Sequence, residues 1–237
     1  MRLHIVNPNS TTSMTEKIAI AARRVATPDT EIVATTSHSG PVSIEGYHDG
    51  ALALPGLLAQ IDANESTKAE GPADAHIIAC FDDTGLDAAR CVASAPVVGI
   101  GEAAYHIACL VARRFSVITT LSRSIPVLEE NLARYGLASR CARVRASEVP
   151  VLSLEDPASG AHRRISDQVA AAIREDRADA VVLGCAGMAD LCADLADEHG
   201  VPVVEGVSAS VRLAEALVVL GLKTAKTGGW AFPRAKG

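Results

Sequence analysis

Short apolar runs alternate with longer amphipathic stretches along this chain of 237 residues. The runs have the length of buried strands, and most of the stretches between them have the periodicity of helices. This alternation is typical of an α/β protein with parallel sheets. The predicted strands are Leu3–Val6, Glu31–Thr35, Ala75–Ala79, Val97–Ile100, Phe115–Thr119, Ala142–Arg145, Ala180–Gly184 and Val201–Val204.

Two of these strands lie in segments that are near copies of each other. Residues 73–80 read ADAHIIAC and residues 178–185 read ADAVVLGC, so each segment ends in a cysteine. A second pair, RLHIVNPNST at the N-terminus and RFSVITTLS in mid-chain, consists of basic-led strands that end in hydroxyl and amide side chains. The duplication predicts two similar lobes that face each other around a pseudo-twofold axis.

The repeats also set the expected boundaries of the lobes. We expect a first α/β lobe over residues 1–111, which carries Cys80, and a second over residues 112–220, which carries Cys185. Residues 221–237 form a C-terminal tail, and the chain could cross between the lobes. Ligands of open parallel sheets bind beyond the carboxyl ends of the strands. The predicted active site therefore lies in the cleft between the lobes, beside both cysteines.

Each cysteine comes shortly before a predicted helix. Asp83 or Thr84 is a suitable N-cap after Cys80, and another helix begins soon after Cys185. A helix N-terminus favours a thiolate, and its free N–H groups can bind an oxyanion. Two thiols across a cleft could take a proton from one face of a carbon and return one to the other, so both are candidate catalytic residues. The remaining cysteines are interpreted as small core residues: Cys91, Cys109, Cys141 and Cys192.

Composition excludes several other functions. A net charge of −6, a pI near 5.6 and 3% aromatic residues argue against nucleic acid as a partner. Neither C-x-x-C nor H-x-x-x-H spacing occurs, so no metal site is expected. The first apolar run is too short for a signal peptide or a membrane helix, which predicts a cytoplasmic protein with free thiols.

One motif suggests a function of a different class. Residues 99–104, GIGEAA, match the G-x-G-x-x-A fingerprint of dinucleotide-binding folds between a strand and a helix. However, Glu102 places negative charge where a pyrophosphate would bind, and no acidic residue follows at the distance that would hold a ribose. We therefore prefer a tight strand-to-helix turn, with a non-enzymatic domain that binds a nucleotide or another small ligand as the alternative.

Four motifs together resemble the aspartate/glutamate/hydantoin racemase superfamily, and most closely its hydantoin racemase branch. They stand in the expected order over residues 2–220: Asn7–Thr11, Cys80–Asp83, Gly99–Ala103 and Gly184–Met188. The resemblance implies two Rossmann-like lobes and an isomerase that works without pyridoxal phosphate, metal or any other cofactor. It also implies two-base proton transfer by Cys80 and Cys185.

The residues after the first cysteine narrow the substrate. In the amino-acid racemases of this superfamily the first cysteine is typically followed by Asn and Thr, whereas Phe81, Asp82 and Asp83 follow here. Carboxylates would repel an amino-acid carboxylate but can accept hydrogen bonds from the ring N–H groups of a neutral hydantoin. A hydantoin C5–H is also acidic enough for two modest thiol bases. The predicted function is racemisation of 5-monosubstituted hydantoins by 1,1-proton transfer, in a homo-oligomer without membrane partners.

Allantoin racemase is the nearest alternative, because allantoin is itself a 5-substituted hydantoin with a ureido side chain. Two other activities fit less well. An amino-acid racemase would lack the donors that bind its substrate's carboxylate, and an arylmalonate-type decarboxylase would be expected to keep only one of the two cysteines. The segment 40–46, GPVSIEG, resembles the family's substrate-side loop, and its Ile44 could line the pocket for the C5 substituent. The predicted substrate contacts are Asn9, Ile44, Phe81, Asp82, Asp83, Thr119, Thr120, Ala186 and Gly187.

Overall fold

Two parallel four-stranded sheets form the centre of the computed structural model, which describes residues 1–67 and 71–234. In chain order the strands are β1 Arg2–Asn7, β2 Glu31–Thr36, β3 Ala75–Ile78, β4 Val97–Gly99, β5 Phe115–Thr119, β6 Cys141–Ala146, β7 Ala180–Gly184 and β8 Val203–Glu205. The first sheet has the order β2-β1-β3-β4 and the second the order β6-β5-β7-β8. Because the two orders are equivalent, the predicted α/β class with two similar parallel sheets is confirmed.

Helices connect the strands as parallel pairing requires, since a parallel crossover needs a long connection. They are α1 Thr12–Val25, α2 Tyr47–Glu65, α3 Leu86–Val92, α4 Ile100–Val111, α5 Ile125–Arg134, α6 Ala161–Glu175, α7 Cys192–His199 and α8 Gly206–Val219. Short 3-10 helices occupy Ser122–Ser124, Val151–Glu155, Pro157–Ser159, Ala186–Leu191 and Gly228–Trp230. The central strands β3, β5 and β7 are buried along their whole length, as expected where helices cover both faces of a sheet.

All eight predicted strands are present, with differences of one or two residues at their ends. The largest is at the last strand, predicted over Val201–Val204 and found at Val203–Glu205. Pro202 has no N–H and cannot donate to the sheet, although its carbonyl still accepts a hydrogen bond from the Val181 N–H. The ladder therefore begins after the proline.

The helix that follows each sheet's last strand crosses to the other half of the molecule. Helix α4 follows β4 but packs against β7 and β8, and α8 follows β8 but packs against β3 and β4. The two helices also contact each other, and a Cβ added to Gly206 would lie 2.5 Å from the carbonyl oxygen of Ile100. One hydrophobic cluster accordingly includes Ile77 of the first sheet and Val182 of the second. Each half of the chain thus contributes one sheet, and α4 and α8 pack across to the sheet of the other half. The division into lobes at residues 111 and 112 stays a prediction.

The described part of the C-terminal tail, residues 221–234, packs on α3. The indole N–H of Trp230 donates to Asp87 at 3.2 Å, and the guanidinium of Arg90 lies 4.9 Å from the centre of the indole ring. Residues 235–237 of the predicted tail lie outside the described residues. No helix in the described part is long and apolar enough to cross a membrane. The cytoplasmic location and the homo-oligomer stay predictions.

Candidate active site

Cys80 and Cys185 line the same cavity. They follow β3 and β7, which are internal strands at equivalent places in their sheets, so the carboxyl ends of the two strands border one cavity. The cavity has a volume of about 30 Å³, the scale of ordered water molecules.

Burial dominates the acidity of both thiols. It raises the pKa of Cys185 to about 12 and that of Cys80 further still, and the carboxyl of Asp82 adds to both shifts because it opposes a thiolate. Hydrogen-bond donors lower the pKa of both thiols. The Thr84 hydroxyl donates to the Cys80 sulfur at 3.4 Å, and the backbone N–H groups of Asp82 and Gly187 donate to Cys80 and Cys185 respectively. Both groups are therefore neutral thiols near pH 7 in the protein without a ligand.

The local structure after Cys80 differs from the expected helix N-terminus. Helix α3 begins at Leu86 with Gly85 as its N-cap, so the prediction of an N-cap at Asp83 or Thr84 is wrong. Gly85 is in the left-handed region at φ 70°, and the chain turns before the helix starts. The thiol of Cys80 consequently faces single N–H and O–H donors instead of a helix terminus.

After Cys185 the chain forms the 3-10 helix Ala186–Leu191 before α7. The N–H of Gly187 donates to the sulfur, two residues along, in the same relation as Asp82 to Cys80. The duplicated sequence therefore gives the two sulfur atoms matching backbone donors.

Most predicted substrate contacts line the cavity with the cysteines. Among the polar ones, Asn9 is held by Asn7, whose side-chain N–H donates to the Asn9 oxygen at 2.9 Å. The Thr119 hydroxyl donates to the carbonyl of Gly184 at 3.3 Å. The predicted contacts found in the lining are Asn9, Ile44, Phe81, Asp82, Thr119, Thr120 and Ala186.

The Asp82 carboxyl is the acidic group of this lining. Burial, together with the neighbouring carboxyls of Asp83 and Asp49, raises its pKa to about 7. No hydrogen bond from the described residues engages its side chain, so the carboxyl is available to a ligand. It can accept a hydrogen bond when ionised and also donate one when protonated.

Two predicted contacts, Asp83 and Gly187, do not line the cavity. The Asp83 carboxylate accepts hydrogen bonds from the N–H groups of Gly101 at 3.0 Å and Glu102 at 2.8 Å, at the start of α4. Gly187 packs against Leu154, where an added Cβ would lie 3.0 Å from a methyl carbon. The Asp83 carboxylate therefore binds the start of α4, and Gly187 contributes only its N–H, which donates to the Cys185 sulfur.

These contacts also explain the GIGEAA motif. A Cβ at Gly99 would lie 2.1 Å from an Asp83 oxygen, and one at Gly101 would lie 2.4 Å from the carbonyl oxygen of Phe81. The glycines make room for the loop that follows Cys80, and the Asp83 carboxylate occupies the N–H groups that a phosphate would need. The nucleotide-binding alternative has no free anion site at this turn.

The sequence did not reveal several cavity residues. Ser124 follows the hydroxyl-rich end of β5 in a 3-10 helix, a local signal that could have been used. No local sequence pattern marked Val151, which begins a 3-10 helix that is distant in sequence from both cysteines. Its N–H donates to Glu45 at 2.9 Å, which joins it to the loop of Ile44. The lining residues that were missed are Met14, Ala79, Ser124, Val151 and Gly184. Within the described residues, no group of three or more His, Cys, Asp or Glu side chains could hold a metal ion.

Comparison with known proteins gives full-length matches. The sequence model of the Asp/Glu/Hydantoin racemase family matches residues 3–214. A hydantoin racemase of Rhizobium meliloti is 47% identical over 236 residues, which cover 100% of this chain and 96% of that protein. An allantoin racemase structure from Klebsiella pneumoniae has a TM-score of 0.95 and 46% identity, covering 100% of this chain and 95% of the other. One from Pseudomonas fluorescens has the same TM-score with 43% identity, covering 100% and 99%.

Proposed function

From the premise that this chain belongs to the Asp/Glu/Hydantoin racemase family, we propose that it racemises 5-monosubstituted hydantoins with Cys80 and Cys185 as its two bases. The enzyme class, an isomerase of the racemase type, follows from full-length relatives that are hydantoin racemases at 39% to 47% identity. The observation that carries the two-base proposal is the shared cavity at the ends of β3 and β7, with one cysteine from each. Its symmetry suits a reaction whose substrate and product are mirror images.

The proposed reaction removes one proton from C5 and adds one proton to its opposite face. One cysteine, as a thiolate, removes the C5 proton, and the electron pair left at C5 delocalises into the adjacent ring carbonyl. The other cysteine, as a thiol, delivers its proton to the opposite face. The ring itself takes up the negative charge, so the proposal includes no cofactor. Burial disfavours a thiolate. The backbone N–H groups of Asp82 and Gly187 act against this effect, because each stabilises the charged form of its sulfur.

The cavity lining offers both polar and apolar groups, and this mixture supports a hydantoin as the substrate. Asp82 can accept a hydrogen bond from a ring N–H. Met14, Ile44 and Val151 can pack against a hydrocarbon group at C5. A free amino acid fits less well, because its carboxylate would be repelled by Asp82.

Allantoin is a second candidate substrate, and two observations favour it. The hydroxyls of Thr120 and Ser124 line the cavity without a hydrogen-bond partner among the described residues, so they could bind a ureido group. The two solved allantoin racemases also match this chain over its whole length. Rates of racemisation for L-5-benzylhydantoin and (S)-allantoin, measured by optical rotation, distinguish the two proposals.

The two-base proposal is tested by replacing each cysteine with serine. A serine hydroxyl without an activating group is hardly ionised near neutral pH, so racemisation should fall by several orders of magnitude in Cys80→Ser and in Cys185→Ser. Exchange of the C5 hydrogen with D₂O should survive in each variant for one enantiomer, and for the opposite one in the two variants. NMR on separately supplied D- and L-hydantoin, in buffer with EDTA, measures this directly.

Cys91→Ser is the matched control, because Cys91 lies in α3 and its sulfur donates to the carbonyl of Gly229, outside the cavity. It should racemise at the wild-type rate. If both cavity variants exchange the same enantiomer, or if either keeps full racemisation, the assignment of one base to each face is wrong.

A further inference from the structure

The loop that carries the first proposed base, residues 80–83, has an unusual backbone. Asp83 has a φ of +50°, in the left-handed region that residues other than glycine seldom adopt. A tight turn joins its N–H to the carbonyl of Cys80 at 3.0 Å. A strained conformation persists only where surrounding contacts hold it in place. The loop therefore depends on its neighbours for its shape.

The first neighbour is the start of α4. Both carboxylate oxygens of Asp83 accept N–H groups there, from Gly101 and Glu102. Because Gly101 has no side chain, the carbonyl of Phe81 can also approach the helix closely. The carboxylate thus acts as an N-cap supplied by another part of the chain, and it anchors one side of the loop.

The second neighbour is α5, which packs against β6 of the second sheet. The Tyr135 hydroxyl donates to Asp83 Oδ2 at 2.7 Å, and the side-chain N–H of Asn131 donates to the carbonyl of Asp82 at 2.8 Å. Arg134 holds both partners in place, since it donates to the Tyr135 oxygen at 2.9 Å and to the Asn131 oxygen at 3.0 Å. Residues from the second half of the molecule therefore contact the loop of Cys80, the proposed base from the first half.

We infer that Tyr135, Asn131 and Asp83 are positioning residues that hold Cys80 at its face of the substrate. None of the three lines the cavity, so they act through the loop and not by touching the substrate. A displacement of the base by about 1 Å can cost on the order of 10²-fold in rate, so small movements of the loop would be felt at C5. This inference rests on the proposed function. It predicts an effect on Cys80 alone, because the contacts involve the loop of Cys80, whereas the Cys185 sulfur has its own donor in the N–H of Gly187.

Tyr135→Phe tests the inference, since it removes the hydroxyl and keeps the ring. The variant is made in the Cys80→Ser and Cys185→Ser backgrounds, where exchange with D₂O reports on one base at a time. Exchange driven by Cys80, seen in Cys185→Ser, should fall roughly tenfold or more on adding Tyr135→Phe. Exchange driven by Cys185, seen in Cys80→Ser, should stay unchanged. In the otherwise wild-type enzyme kcat should fall, with less effect on KM.

Tyr105→Phe is the matched control. The ring of Tyr105 lies 6.3 Å from that of Tyr135, and its buried hydroxyl has no hydrogen-bond partner in the part of the chain that the structure describes. Its loss should leave both exchange reactions unchanged. Asp83→Asn, which keeps an acceptor oxygen and tolerates a positive φ, should retain more of the Cys80-driven exchange than Asp83→Ala.

Alkylation supplies a measurement that does not depend on turnover. With iodoacetamide and mass spectrometry, Tyr135→Phe should raise labelling of Cys80 relative to Cys185 by freeing the loop. Equal effects on both exchange reactions, or no effect on either together with an unchanged labelling ratio, would overturn the inference. If the single cysteine variants themselves show no enantiomer preference, the two-base proposal fails, and the labelling ratio alone then decides whether Tyr135 holds the loop.

Discussion

At the scale of single residues, burial and hydrogen bonding decide which titratable groups carry charge. Burial raises the pKa of Cys185 to about 12 and lowers that of His4 to about 3, so each favours its neutral form. Glu65 shows the opposite balance: burial alone would raise its pKa, but hydrogen bonds from His76 and from the N–H groups of Ser94 and the next residue lower it to about 2. Interior groups thus ionise only where donors or acceptors compensate for lost water.

His4 makes the stability of the fold dependent on pH. Its Nδ1 lies 3.1 Å from Nδ1 of His76 and its Nε2 lies 2.8 Å from the Thr35 hydroxyl, in the middle of the first sheet. Its pKa is about 6.5 in an unfolded chain and about 3 in the fold, so between these values the unfolded state binds more protons. We expect the free energy of unfolding to fall as pH falls from about 6.5 towards 3.

Urea denaturation between pH 5 and 7 measures this dependence. The His4→Gln variant should lose part of the slope, whatever its absolute stability, up to about 1.4 kcal/mol per pH unit for one fully linked proton. His162→Gln, at an exposed position on α6, is the control and should keep the wild-type slope. A slope unchanged by His4→Gln would contradict the assignment of this proton to His4.

At the scale of elements, the start of α4 shows how one segment can serve two purposes. Its first N–H groups cap onto Asp83, and its glycines admit the loop after Cys80. The same turn resembles a dinucleotide-binding fingerprint because close backbone approach is what glycine permits in both settings. Here the approaching group is the protein's own chain, so the motif is structural.

Gly101→Ala should therefore destabilise the fold. The new Cβ would lie 2.4 Å from the carbonyl of Phe81 and 2.8 Å from Asp83, and the backbone of Phe81 cannot turn aside as a flexible side chain can. Forcing an extra methyl into such a site costs about 1 to 3 kcal/mol. Gly229→Ala is the control, because nothing lies within 4 Å of its added Cβ. Equal unfolding free energies for the two variants would show that the loop can move away at little cost.

At the scale of the whole molecule, one hydrophobic cluster contains side chains from both halves. Helices α4 and α8 each lie against the sheet of the other half and against each other. This exchange fixes the two sheets so that the ends of β3 and β7 face one cavity. The same arrangement lets α5 of the second half reach the loop of Cys80.

Neither half should fold alone. A fragment of residues 1–111 would expose the face of α4 that packs on the second sheet and would leave β3 and β4 without α8. We expect each fragment, 1–111 or 112–237, to lack a cooperative thermal transition in near-UV circular dichroism, and we expect the two to regain one when mixed or coexpressed. A cooperative transition in either isolated fragment would show that the exchanged helices are dispensable.

The sequence by itself determined the elements and the pair of cysteines. Strand positions depend on local apolar runs, which is why even β7 was predicted with its observed bounds. The duplication marked Cys80 and Cys185, since equal segments of a repeat fold alike and end at equivalent places. Asn9 and Thr119 could also be predicted from the sequence, because polar residues at the carboxyl end of a strand in a parallel sheet lie at its ligand-binding edge.

Tertiary structure decided what depends on residues far apart in the chain. The local sequence leaves open whether the Asp83 carboxylate faces the substrate or α4. In the structure it faces α4, because the N–H of Gly101 donates to it. Val151 lines the cavity because two halves of the chain meet there. Burial at the same place removes water from the thiols of Cys80 and Cys185 and makes them weaker acids. Local patterns encode backbone conformation, whereas burial, and with it pKa, depends on every segment that packs around a site.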